Sequence, residues 1–152
     1  MQADYQPNFD SPMENVSWLL GKSRETAQYF DRDYELHPLN LNLNSGLPAR
    51  DLTIQVKFHR LDITASIELK LNNKTYFSVG DVIDPIKDFL DQNISNEELH
   101  QMLDSCDPDI VGQAEYFFEN NVRRPRVDMI GYCWFEGFRQ VDEDTYWLSY
   151  GT

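Results

Sequence analysis

Residues 52–71 constrain this chain more than any other stretch. Leu52, Ile54, Val56 and Phe58 alternate with Thr53, Gln55 and Lys57, and Ile63, Ile67, Leu69 and Leu71 keep the same two-residue period. Successive strand side chains point to opposite faces, so this pattern builds two strands with one buried face. Leu39, Leu41 and Leu43 alternate with Asn40, Asn42 and Asn44 and predict a further strand ahead of them, closed by a turn at Ser45, Gly46, Leu47 and Pro48. Asn72 and Asn73 suit a tight hairpin turn, with Tyr76, Phe77, Ser78 and Val79 as the returning strand. The expectation is an antiparallel meander with one solvated face.

Helical signals flank this meander. Ser11, Pro12 and Glu14 have the spacing of a capping box with proline in the first turn, followed by Val16, Leu19 and Leu20 at helical spacing and a stop at Gly21. A second helical piece over residues 23–30 completes an N-terminal helical hairpin. Residues 127–138 are apolar on both faces and read as a covered strand. Residues 140–144 turn it back into Tyr146, Trp147, Leu148, Ser149 and Tyr150. The predicted fold is α+β: an antiparallel sheet of about five to six strands, an N-terminal helical hairpin, and an acidic helical block inserted before a C-terminal β-hairpin. Residues 1–10 lack periodicity and read as a flexible tail, with residues 11–152 forming a single globular domain.

The acidic block spans residues 81–119 and holds eleven acids against one base, Lys87, a net of −10 within a chain of −13. It also has helical apolar stripes: Ile86, Phe89, Leu90 and Ile94, then Leu99, Met102 and Leu103, then Ile110, Val111, Ala114, Phe117 and Phe118. Charge density is therefore combined with a buried face. Asp84 before Pro85, Ser95 with Glu98, and Asp107 before Pro108 are the expected helix starts. Asp84, Asp88 and Asp91 stand at i, i+4 and i+7, which places three carboxylates on one face.

No catalytic constellation is visible. His37, His59 and His100 are isolated from one another and from Cys106 and Cys133, and no paired cysteine spacing suggests a metal; no cofactor is expected. The two cysteines read as reduced and buried. Cys106 and His100, six apart, fall on different helix faces, and no glycine-rich phosphate loop occurs. Arg123, Arg124 and Arg126 follow the helix bearing Glu115 and Glu119 and are expected to neutralise them. A net charge of −13 opposes contact with nucleic acid or anionic membrane and favours fast capture of a basic partner. No run reaches the roughly 20 apolar residues of a membrane span, and the N-terminus lacks a signal-peptide pattern, so a cytoplasmic location is expected.

Carboxylates on a preordered surface can substitute for phosphates in a basic groove, because such a groove reads charge at intervals. Size, acidity, a single domain and an aromatic C-terminal hairpin together make the chain resemble small acidic immunity proteins that neutralise nuclease toxins. The resemblance is one of class and transfers no residue roles. It implies a non-enzymatic inhibitor that occludes a basic nucleic-acid-binding or active-site groove. Asp84, Asp88, Asp91, Glu97, Glu98, Asp104 and Asp109 are the expected contact residues. A phage or plasmid anti-defence protein mimicking DNA needs the same surface. Two other readings stand beside these: a small enzyme with a site assembled from dispersed residues such as His59, His100 or Arg126, and an adaptor that uses the aromatic C-terminal hairpin.

Overall fold

A computed structural model of the chain describes residues 12–151. It has both helices and strands, but the strands form two sheets rather than one. A small sheet contains β1 (Val16–Ser17), β2 (Gln28–Phe30) and β3 (Leu36–Pro38) in that order. The main sheet is four-stranded and contains β4 (Leu52–Phe58), β5 (Ile63–Leu69), β6 (Trp134–Gln140) and β7 (Thr145–Gly151) in the order β5-β4-β7-β6. Between its two halves lie α1 (Val79–Asp91), α2 (Asn96–Leu103), α3 (Pro108–Glu119) and the short α4 (Arg126–Ile130). Among the described residues no helix is long and apolar enough to cross a membrane.

The two-residue period of 52–69 is realised as an antiparallel β4/β5 pair in unbroken register from Leu52 opposite Leu69 to Phe58 opposite Ile63. Leu52, Ile54, Val56, Ile63, Ile67 and Leu69 are buried, together with Tyr146 and Leu148 of β7 and Phe135 of β6. The helices pack on this inner face, and the core is completed by Val82, Ile83, Ile86, Leu90, Leu99 and Met102. The sheet is mixed rather than antiparallel as expected: β7 joins β4 in parallel, with Gln55 opposite Trp147, because the C-terminal hairpin enters beside the chain's middle strand after the helical block. Gly137, at φ +95°, marks the register shift in β6 that lets both Phe135 and Phe138 face inward.

Three expected elements take other forms. The N-terminal helical hairpin is replaced by two single 3₁₀ turns, at Pro12–Asn15 and Arg24–Thr26, and by the small sheet. Ser11 of the expected capping box lies outside the described residues. Tertiary pairing overrides the helical spacing here: the Trp18 carbonyl accepts from the Phe135 amide, and the Leu20 amide donates to the Cys133 carbonyl. This segment thus docks against the start of β6.

The alternating segment Leu39–Leu43 is not a strand. The side chains of Asn40 and Asn44 accept from the amides two residues on, closing local turns that compete with a ladder. The freed carbonyls of Leu41 and Leu43 instead accept from Gly80 and Val79, satisfying the first amides of α1. Ser78, expected in a returning strand, is the N-cap of α1. Its side chain accepts from the Asp81 amide while Asp81 accepts from the Ser78 amide. The helix therefore starts at Val79 rather than Asp84, and Pro85 falls inside it. Residues 127–138 divide at Gly131, φ +84°, into α4 and β6 instead of forming one strand.

Candidate functional site: the acidic helical face

The three helices present their acids in two ways. Four of the eleven are engaged by bases. Asp81 meets Lys74 and Asp91 meets Lys87, each at 2.6 Å. Asp84, expected as a cap, instead accepts from Arg24 at 2.6 Å from within α1. Partial burial opposes ionisation of Asp81, but the Lys74 ammonium and the Ser78 amide and hydroxyl outweigh it and hold the carboxyl below its ordinary range.

Glu98 is the fourth, and it corrects the expected contact face. Its side chain is only 5% exposed. It closes the Ser95 capping box and takes both Nε and Nη2 of Arg126. Such a group holds α2 to α4 and is closed to a partner. The arginines do not neutralise Glu115 and Glu119 as expected. Arg126 is consumed by Glu98, Arg124 lies 3.5 Å from Asp128, and Arg123 donates to the Phe117 and Val122 carbonyls and to Asn96.

Asp88, Glu97, Asp104, Asp107, Asp109, Glu115 and Glu119 are all exposed, and among the described residues none has a base at ion-pair distance. They include Asp88, Glu97, Asp104 and Asp109 of the expected face. Asp107 caps α3 through the Asp109 amide. Along α3 the exposed positions after the first-turn Pro108 are Asp109, Gly112, Glu115, Tyr116 and Glu119, one stripe at three- to four-residue spacing. With a rise of about 1.5 Å per residue, Asp109, Glu115 and Glu119 follow each other at about 6 to 9 Å along the axis. Tyr116, at 56% exposure, stands in the middle of the stripe. A Cβ at Gly112 would meet nothing within 4 Å, so no packing inside the molecule requires a glycine there.

The residues suggested for an assembled enzyme site are not brought together. His100 packs on Phe118 at 5.2 Å, Arg126 is buried under Glu98, and His59 lies on the opposite side of the sheet beside Tyr150. Both cysteines are free, but Cys106 is exposed, contrary to expectation, and Cys133 is buried. Sequence spacing also concealed one cluster, Asp31, Glu35 and His37, whose ligand atoms lie within 4.8 Å of one another at the β2–β3 turn. Asp31 accepts from His37 at 2.6 Å and from the amides of Asp33 and Glu35. The His37 hydrogen bond foremost, then the Glu35 amide, hold its carboxyl below the ordinary range. These bonds close the turn from within the chain.

No family model, curated protein or solved structure matches this chain.

Proposed function

We propose that the protein is a non-enzymatic inhibitor whose acidic helices occupy the basic groove of a nuclease-type partner, as an immunity protein does to its toxin. The supporting observation is the outer stripe of α3, where Asp109, Glu115 and Glu119 are exposed and unneutralised around Tyr116. Carboxylates fixed on a helix lose less conformational freedom on binding than a loose acidic tail. An exposed tyrosine among charges adds an apolar anchor with few rotatable bonds. Glu97, Asp104 and Asp107 extend the charge to the ends of the α2–α3 hairpin, and Asp88 is a further exposed acid on α1, unpaired among the described residues. An anti-defence protein that mimics DNA uses the same surface and differs only in the partner.

The test is affinity capture from the source cell at about 0.1 and 0.5 M salt, with exposed charges screened over about 10 Å at the lower value. The Asp109→Lys, Glu115→Lys, Glu119→Lys triple variant runs in parallel. These three positions stand clear of internal ion pairs, so their reversal tests the surface rather than the fold. The expected result is a basic nucleic-acid-handling protein, lost at high salt and lost by the variant, whose activity is blocked at stoichiometric ratio. A partner retained by the triple variant rejects this face. A partner held unchanged at high salt points to the aromatic hairpin.

A further inference from the structure

The solvent face of the main sheet has the opposite electrostatic character to the helices. Register places Ser66 opposite Gln55, Gln55 opposite Trp147, and Trp147 opposite Arg139, one row across all four strands. Lys57 stands on the same face two residues beyond Gln55, opposite Thr64, and Ser149 two residues beyond Trp147. Arg139 is thus directly opposite Trp147 at a strand spacing of about 4.8 Å, and Lys57 stands diagonally from it on the other neighbouring strand. Together they line a groove of about 540 Å³, within the size range of small-molecule sites. At its rim the His59 and Tyr150 rings lie 5.4 Å apart, and the Tyr150 hydroxyl donates to the Lys57 carbonyl. Half-burial pushes the Tyr150 hydroxyl above its ordinary range, so it remains a donor.

Charge pairing makes this groove distinct. The chain has 26 acids and 13 bases, so a base has many chances of finding a carboxylate. Arg24, Arg50, Lys70, Lys74, Lys87, Arg124 and Arg126 all do. Among the described residues Lys57 and Arg139 do not, and unlike Lys22, Arg60 and Arg123, which also lack a carboxylate at ion-pair distance, these two line the same groove, where Glu136 is the single acid. Two long cations without carboxylates, a tryptophan between them, and the hydroxyls of Thr64 and Ser149 form a complementary set for an anion joined to a flat ring. A half-exposed aromatic ring on a sheet face is a stacking platform. Lysine and arginine together suit a phosphate.

We propose that this groove binds a small phosphorylated ligand of the nucleoside monophosphate class, with its ring on Trp147 and its phosphate between Lys57 and Arg139. A ligand with one phosphate fits better than a polynucleotide, because the field of a molecule at −13 repels a polyanion as a whole.

Backbone-amide NMR with AMP, GMP, CMP and UMP as probes decides the matter. At least one nucleotide is expected to give saturable shifts confined to Lys57, Arg139, Trp147 and Ser149. Adenosine and inorganic phosphate, each with half the chemistry, should bind about tenfold more weakly than AMP. Lys57→Ala and Arg139→Ala should each weaken nucleotide binding by about tenfold. Both side chains are exposed, so the spectra of these variants should retain the native dispersion. Arg50→Ala, at a paired cation outside the groove, should leave affinity unchanged. Absence of saturable shifts with all four nucleotides overturns the proposal. So does equal affinity in the Lys57 and Arg139 variants, or binding of an eight-residue oligothymidylate when the mononucleotides do not bind.

Discussion

Arg126 reaches across 28 residues to Glu98, its Nε donating to both carboxylate oxygens at 2.9 and 3.0 Å. The same guanidinium donates to the Phe89 carbonyl and lies 4.0 Å from the centre of the Phe89 ring. One side chain therefore joins the end of α1, the start of α2 and the start of α4. A buried pair that loses one member leaves a desolvated charge, so Arg126→Ala and Glu98→Ala should each cost about 3–5 kcal/mol. Urea unfolding measures this. The double change Arg126→Met, Glu98→Leu should cost less than either, because neither charge is then left alone. A loss of under about 1 kcal/mol in the single variants would show the pair to be solvated.

Two serines hold the acidic helices at their starts. Ser78 and Ser95 each accept from the amide three residues on, at 3.1 Å. Replacing either by alanine should cost about 1 kcal/mol, which for a chain of this length lowers the melting temperature by about 2–4 °C. The two losses should add, since the caps share no partner. Thermal unfolding followed by circular dichroism tests both statements.

The Asp81–Lys74 contact links stability to pH. The folded carboxyl lies below the ordinary aspartate value of 3.8, so its contribution is fully present above that value. It is lost as pH falls through the lower folded value, because the unfolded state then binds more protons. The stability difference between the wild type and Asp81→Asn should therefore be constant near neutrality and shrink below about pH 4. A difference that persists unchanged at pH 2.5 would assign the effect to the cap rather than to ionisation.

Two glycines should respond in opposite directions. At Gly21, φ +87°, a Cβ would lie 2.2 Å from Val127 Cγ2, so Gly21→Ala should destabilise by about 1–3 kcal/mol. At Gly112 there is open space in a helical conformation, so Gly112→Ala should stabilise by up to about 1 kcal/mol. Denaturation midpoints settle both. If the stabler Gly112 variant captures less partner, the loss belongs to the interface, since the fold has only gained.

What could be read from the chain follows the range of the forces involved. The β4/β5 pair, the Ser95–Glu98 box and the Asp107 cap depend on neighbours within a few residues, and their patterns were legible. The Ser78–Asp81 box was equally local, but the apolar residues of 76–79 suggested a strand. Leu39, Leu41 and Leu43 have a strand's period, yet the asparagines between them close turns and override it. Burial of Glu98 could not be seen, because its partner is 28 positions away and it looked like any acid of the block. Lys57 and Trp147 come together only through the parallel β4/β7 pairing, which no local pattern encodes.

That parallel pairing has a consequence for biosynthesis. The side of β4 opposite β5 must wait for residues 145–147 before its hydrogen-bonding groups find a partner, roughly ninety positions later in the chain. Throughout that interval a growing polypeptide displays a bare edge carrying Leu52, Ile54, Val56 and Phe58 to its neighbours on the same message. Yield in the cell should thus depend on how quickly the ribosome finishes, or on a chaperone shielding that edge, more than on the stability of the finished molecule.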